Sequence, residues 1–122
     1  MNLDKIKGTL VDFNELEHVL DNADHIGAWQ IELRKVNDDP LELDELILHV
    51  QTTNGANQEQ LAPELSKRCF EQLEIHPNRI LFHSAEEIRH LQGVGALIKE
   101  QKLVDHRPKT TRTATTQNSS PT

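Results

Sequence analysis

Histidine, cysteine and lysine are the residue types in this sequence whose chemistry could serve a reaction. The 122-residue chain carries seven histidines and one cysteine. His83 and His90 are seven positions apart, and the other five histidines are scattered over separate segments. No His-x-x-x-His or other zinc-type spacing occurs among them. The pattern therefore predicts ordinary surface or half-buried histidines and no metal site.

The single cysteine occupies a core position of a predicted helix. Leucines precede and follow Cys69 at four-residue steps, which places all of them on one helical face. We expect a buried, inert thiol there in preference to a nucleophile. A lone cysteine forms no internal disulfide, and the N-terminal residues lack the apolar core of a secretory signal, so we expect a cytoplasmic protein.

Lysines near the end of the chain give the one segment with a possible catalytic cation. Lys99 and Lys102 lie in a short β-rich stretch that ends in Asp105-His106-Arg107. A lysine at the tip of a hairpin is a mobile cation, able to reach another domain and to stabilise charge on a reacting phosphate. By the residues alone, solvent-facing lysines are the alternative.

Composition restricts the kinds of binding partner and the number of domains that we expect. The formal net charge is −7, and an acidic domain repels phosphate backbones, so nucleic-acid binding is not expected. No apolar run approaches the ~20 residues that span a bilayer, so no membrane segment is expected. We predict one domain over residues 1–107 and a disordered, Thr- and Ser-rich tail over residues 108–122.

Hydrophobic periodicity and capping residues predict the elements. We expect a first strand over residues 8–13, a helix capped by Asn14 with Glu17, and an antiparallel hairpin of strands at residues 29–33 and 46–50. A helix over residues 58–73, a strand over residues 79–83 and a short helix between Ser84 and Gly93 follow. Residues 97–98 and 102–104 are predicted to form a closing hairpin.

The order of these elements predicts the fold class. The succession β-α-β-β-α-β is typical of a ferredoxin-like α+β sandwich, with two helices on one face of an antiparallel sheet. The short helix and the C-terminal β-hairpin are additions to that core. Because this fold serves many unrelated activities, it does not by itself indicate a function.

Four segments together resemble a known family. Residues 6–20 resemble the hinge-side segment of AMP-forming acyl-CoA ligases, and residues 28–33 and 44–50 fit a central hairpin. Residues 99–108 resemble the terminal run of the phenylacetate-CoA ligase branch: a lysine, three residues, two hydrophobic residues, then Asp-x-Arg. The chain is thus similar, over residues 5–108, to the C-terminal lid domain of these ligases.

The resemblance implies an activity that this chain would share with a partner domain. Such enzymes activate a carboxylic acid, aromatic or other, with ATP and Mg²⁺ to an acyl-adenylate, and then pass the acyl group to coenzyme A. A large N-terminal adenylation domain, in cis or in trans, binds ATP and the acid. The resemblance therefore implies that the chain alone is inactive and holds no tightly bound cofactor.

The resemblance also implies two site residues. Lys99, six positions before Asp105, matches the lysine that reaches the adenylate, with Lys102 as the second candidate if the register differs. Gly8 matches the hinge-side glycine whose face lines the tunnel for coenzyme A. The chain departs from the family pattern at Ile98, where the family has glycine, and at Phe13-Asn14, where it has Pro-Ser.

Two functions of other classes stay open at this point. A stand-alone ferredoxin-like module could bind a small molecule or dimerise through its sheet edge without catalysis. A bare protein-interaction domain is the other alternative. A dimer is compatible with all three interpretations.

Overall fold

A computed structural model describes residues 3–53, 55–93 and 101–108. Within them it shows an α+β fold, as expected. The elements in chain order are β1 (Leu3–Ile6), β2 (Thr9–Asp12), α1 (Phe13–Asp21), β3 (Ile26–Lys35), a 3₁₀ turn (Val36–Asp38), β4 (Asp44–Thr52), α2 (Gln58–Leu73), β5 (Arg79–His83), α3 (Ala85–Gln92) and β6 (Leu103–Asp105).

A four-stranded mixed sheet with the order β5-β4-β3-β6 forms the centre. Strands β3 and β4 pair antiparallel, with Ile31 opposite Leu48. Strand β5 runs parallel to β4, and β6 runs parallel to β3. The predicted central hairpin is confirmed, and two parallel strands complete the sheet on either side of it.

The ferredoxin-like topology is not confirmed. The predicted first strand pairs with β1 in a separate two-stranded hairpin and does not enter the main sheet. The sheet is also mixed, whereas the prediction was antiparallel. Alternating hydrophobicity shows which face of a strand is buried but leaves its neighbour open, so the sequence pattern did not exclude this arrangement.

One face of the sheet carries the main hydrophobic core. Trp29, Ile31 and Leu33 of β3 and Leu48 of β4 point into it and are at most 3% exposed. Helices α1 and α2 cover this face, with their buried side chains in the same cluster. Cys69 lies among them, fully buried, and burial raises the pKa of its thiol to about 11. The prediction of an inert thiol fits this environment.

Helix α3 covers the opposite face. It packs on β3, β4 and β5 through Ile88, which is fully buried. The Ser84 hydroxyl accepts the Glu87 N–H, and the Glu87 carboxylate accepts the Ser84 N–H, which confirms the predicted capping box. Gly93 ends the helix with a left-handed backbone.

Helix α1 begins differently from the prediction. Its N-cap is Asp12, whose carboxylate accepts the N–H of Asn14 at 2.9 Å. The predicted Asn14–Glu17 cap is therefore wrong, because Asp12 satisfies the free N–H first and the helix already begins at Phe13.

Some predictions fall outside the described residues. Residues 97–98 of the predicted closing hairpin and residues 109–122 of the predicted tail belong to these segments; β6 contains only the second strand of that hairpin. No helix in the described part of the chain is long and apolar enough to cross a membrane.

Candidate functional site

The structure describes two of the three residues that the sequence suggested for the site. Gly8 and Lys102 lie within the described ranges, whereas Lys99 lies outside them. Lys102 immediately precedes β6, and the residues after β6 contact the hairpin that contains Gly8. Gly8 and Lys102 therefore lie towards opposite ends of β6.

Gly8 belongs to the two-residue turn between β1 and β2. The φ angles of Lys7 and Gly8 are +52° and +82°, both left-handed, as a type I′ hairpin turn requires. A Cβ atom at Gly8 would meet no heavy atom within 4 Å, so the space beside the turn is open. The turn itself explains why glycine is favoured here, and the tunnel role stays a prediction.

Arg107 ties this hairpin to the end of β6. Its guanidinium donates to the Lys5 carbonyl at 2.9 Å, to the Asp4 carboxylate at 2.7 Å and to the Asp105 carboxylate at 2.8 Å. Asp44 lies 3.5 Å from the same guanidinium. The Asp-x-Arg sequence at the end of β6 thus links the N-terminal hairpin to the sheet.

The carboxylates of this cluster are stabilised in their charged form. Burial alone raises the pKa of Asp105, but hydrogen bonds and charge from Arg107 outweigh it and lower the pKa below the ordinary 3.8. Burial likewise raises the pKa of Asp44, but the hydrogen bonds from the Lys7 N–H and the Lys35 ammonium outweigh it and lower the pKa below its ordinary value. Both carboxylates contribute stability above about pH 4, which is lost as the pH falls through the lowered values.

Replacing Arg107 by methionine is expected to lower the free energy of unfolding by about 2 kcal/mol. The change leaves the carboxylates of Asp4 and Asp105 and the Lys5 carbonyl without their shared donor. Urea denaturation at neutral pH measures this loss.

Arg79→Met is the matched control, because Arg79 is half exposed and its ion pair with Glu45 is long, at 3.6 Å. For this variant we expect the free energy of unfolding to change by no more than about 0.5 kcal/mol. Below about pH 4 the Arg107 difference should shrink as the carboxylates protonate. Equal losses in the two variants would contradict the proposed link.

Lys102 lies beside a cleft at the other end of β6. Its ammonium is 5.1 Å from the centroid of the Trp29 ring, within cation–π range. The indole N–H of Trp29 donates to Asp21 at 2.8 Å. Arg89 lines the same cleft of about 350 Å³. Two cations, Lys102 and Arg89, and one carboxylate, Asp21, thus line this cleft.

Two buried glutamines hold the described ends of the segment that contains Lys99. The Gln30 amide donates to the carbonyl of Leu91 at 2.9 Å and to that of Gln101 at 3.0 Å. The Gln92 amide donates to the Trp29 carbonyl at 2.8 Å, and the Gln101 N–H donates to the Gln92 carbonyl at 2.8 Å. Both glutamine residues are only 4% exposed. Residues 92 and 101 are therefore fixed against β3.

Sequence reasoning missed a polar cluster on the α3 face. Glu32, His49 and His83 come from three adjacent strands and are hydrogen-bonded in series. The alternation along β4 already placed His49 on the face that points away from the core. It did not give the strand register that brings the three side chains together. Among the described residues, no three His, Cys, Asp or Glu side chains are arranged to hold a metal ion.

Comparison with solved structures identifies the fold. No family model and no curated protein matches the sequence. A domain of phenylacetate-coenzyme A ligase from Bacteroides vulgatus superposes with a TM-score of 0.66 at 17% identity, covering 89% of this chain and 96% of that domain.

Two whole ligases match over a smaller part of the chain. The amide bond synthetase McbA from Marinactinospora thermotolerans gives a TM-score of 0.53 at 19% identity over 69% of this chain. The anthranilate CoA ligase AuaEII, in complex with anthranoyl-AMP, gives 0.53 at 17% identity over 68%. The matched region is only 16% of the length of each of these ligases.

These matches place the chain in one structural class. It has the fold of the C-terminal domain of AMP-forming, adenylating ligases. The structural match to the phenylacetate-CoA ligase domain extends over most of the described chain, which confirms that part of the resemblance seen in the sequence.

Proposed function

We propose that this chain acts as the C-terminal lid domain of an ATP-dependent, AMP-forming acid-CoA ligase. The observation that carries the proposal is the superposition on a ligase domain over nearly the whole of both chains. The Asp105-x-Arg107 ending, which ties the N-terminal hairpin to the sheet, is one part of the family pattern that lies in the described residues.

The reaction divides between this chain and a partner domain. In the first step a carboxylate attacks the α-phosphate of ATP, forming acyl-AMP and releasing pyrophosphate. In the second, the coenzyme A thiol attacks the acyl carbon, and AMP leaves as the thiol proton passes to a base or water. We assign ATP, Mg²⁺ and the acid, aromatic or other, to an N-terminal adenylation domain, as the resemblance to these ligases implies.

This chain would supply a cation to the first step and a surface to the second. Lys99 would stabilise the negative charge that grows on the phosphate oxygens, an electrostatic role that needs no proton transfer. Gln30 and Gln92 support this role by fixing the residues on both sides of that segment. The open space beside Gly8 is compatible with a narrow pantetheine chain. Lys102 is the second candidate for the cation.

A chimaera tests the proposal. The C-terminal domain of a phenylacetate-CoA ligase is replaced by this chain, and acyl-CoA formation is measured against the ligase lacking that domain. We expect the chimaera to recover thioester formation that the truncated ligase lacks. No recovery by a chimaera that folds would contradict the proposal.

An amine is the second candidate for the acyl acceptor, because an amide bond synthetase is among the matched structures. The chimaera is therefore assayed with coenzyme A and, separately, with a primary amine. Faster amide formation than thioester formation would favour the amine as the acceptor. The non-catalytic sensor module has less support, because it depended on a ferredoxin-like sheet that the strand order does not confirm. Cytoplasmic location stays part of the proposal.

A further inference from the structure

A chain of three hydrogen-bonded side chains crosses the sheet beneath α3. The Glu32 carboxylate lies 2.8 Å from Nε2 of His49, and Nδ1 of His49 lies 2.8 Å from Nε2 of His83. The side chains of Glu32 and His49 are 15% and 8% exposed. This partly buried series of hydrogen bonds joins β3, β4 and β5 through their side chains as well as through their backbones.

The chain of contacts determines where the protons lie. Because a carboxylate only accepts, Nε2 of His49 carries the hydrogen that is donated to Glu32. In neutral His49 the other nitrogen, Nδ1, is then an acceptor, so Nε2 of His83 donates to it. Neutral His83 consequently has its lone pair on Nδ1, at the far end of the chain.

That lone pair faces α3. Nδ1 of His83 is 3.8 Å from the Glu87 carboxylate, which also accepts the Ser84 N–H at 2.8 Å in the capping box of α3. An open cleft of about 450 Å³, lined also by Glu86 and His90, gives water access to this end. A proton arriving at Nδ1 would form an ion pair with Glu87 and leave both buried hydrogen bonds intact.

The pair of rings cannot accept a second proton in the same way. With both rings charged, Nδ1 of His49 and Nε2 of His83 would both carry hydrogens and would oppose each other across 2.8 Å. The charges facing the other end do not relieve this repulsion: Arg34 and His106 lie 3.6 Å and 3.9 Å from Glu32 and already share its second oxygen. The contact between the two rings would have to open.

We propose that the His49–His83 pair is a pH-sensitive clamp: it accepts one proton without rearrangement, and a second proton breaks the bond between the rings and loosens α3 from the sheet. Loosening α3 would also release Gln92 from Trp29, and with it one end of the segment that precedes β6.

The direction of the pH dependence follows from the surroundings of His83. Burial, and then the neighbouring His49, lower its pKa from the ordinary 6.5, although Glu87 acts in the opposite sense. The unfolded chain thus binds the proton more readily than the folded one. Stability is fully present above about pH 6.5 and is lost as the pH falls through the lowered value.

Nitrogen NMR of the folded chain tests the proposal directly. We expect a scalar coupling between Nδ1 of His49 and Nε2 of His83, transmitted through their shared hydrogen. As the pH is lowered from about 8 to about 4, the coupling should survive the first protonation and disappear in the same step in which the amides of α3 lose protection from hydrogen exchange. Rings that titrate independently without a coupling would overturn it, and so would α3 protection that stays constant until global unfolding.

Variants separate the clamp from general acid sensitivity. His83→Gln can donate to neutral His49 and, with its amide turned over, accept from charged His49. The state with two charged rings therefore never forms, and α3 protection should change less with pH than in the wild type. His18→Gln is the control, since His18 is exposed on α1, and should leave the wild-type pH dependence unchanged. Equal pH profiles for wild type and His83→Gln would overturn the proposal. Neither readout depends on the ligase activity proposed above.

Discussion

Replacing Lys99 by alanine in the chimaera is expected to lower acid-dependent pyrophosphate exchange about 100-fold, the usual effect of removing a fixed donor to transition-state charge. The loss should fall on kcat rather than KM, because the cation would contact the phosphate only as its charge develops. Thioester formation from pre-made acyl-adenylate should change far less, since that step no longer breaks the bond to pyrophosphate.

Two further lysine variants make this result specific. Lys67→Ala removes an exposed cation on α2 and should leave both half-reactions unchanged. Lys102→Ala should have a small effect, since its ammonium already lies over the Trp29 ring. If Lys102→Ala abolishes exchange while Lys99→Ala does not, the catalytic role belongs to Lys102. Retained exchange in both variants would contradict a lysine of this segment as the catalytic cation.

Truncating Leu48 to alanine is expected to lower the free energy of unfolding by about 3–4 kcal/mol. Leu48 lies in β4, between β3 and β5, and is fully buried in the main core. The substitution removes apolar contact and leaves a cavity that the paired strands cannot readily close. This loss is a large fraction of the ~5–15 kcal/mol that stabilises a typical domain.

Urea denaturation measures the effect of Leu48→Ala, with an unchanged m-value as the sign that the same two states are compared. Leu41→Ala is the matched control: Leu41 is 94% exposed in the loop before β4, and a change within about 0.5 kcal/mol is expected. A loss below about 1 kcal/mol for Leu48 would mean that the sheet is not packed as described.

The sequence was sufficient for elements whose signals are local. The bounds of α2 are confirmed because Asn57 caps it and its leucines and Cys69 recur every four residues. The start and end of α3 are confirmed for the same kind of reason: Ser84, Glu87 and Gly93 each act within one turn of the helix. Such signals need no knowledge of the rest of the fold.

Local signals of this kind could not predict which strands pair when they are far apart in the sequence. The hairpin of β1 and β2 depends on a Lys7-Gly8 turn, and the sequence offered no pattern strong enough to separate it from a strand of the main sheet. The parallel partners of β3 and β4 lie far from them along the chain, so the strand order depends on packing over the whole domain. The Glu32–His49–His83 chain required that order, and for this reason it was not predicted.

The contacts that hold the two ends of β6 also emerged only from the structure. The family pattern suggested a role for the segment around Lys99, but it did not show that Asp105 and Arg107 fix the hairpin containing Gly8. It likewise gave no sign that Gln30 and Gln92 secure the residues preceding β6. The bonds from Arg107 to Lys5, from Gln30 to Leu91 and from Gln92 to Trp29 join residues more than 60 positions apart, which no local pattern reports.

Pyrophosphate exchange by a separate adenylation domain tests the central claim most directly. An N-terminal domain of a phenylacetate-CoA ligase, stripped of its own C-terminal domain, is assayed with its acid and ATP, alone and after fusion to this chain. The proposed function predicts that fusion restores acid-dependent exchange and that Lys67→Ala preserves it. Exchange that stays at the level of the stripped domain, although the fused chain is folded, would contradict the assignment of this chain as a ligase lid.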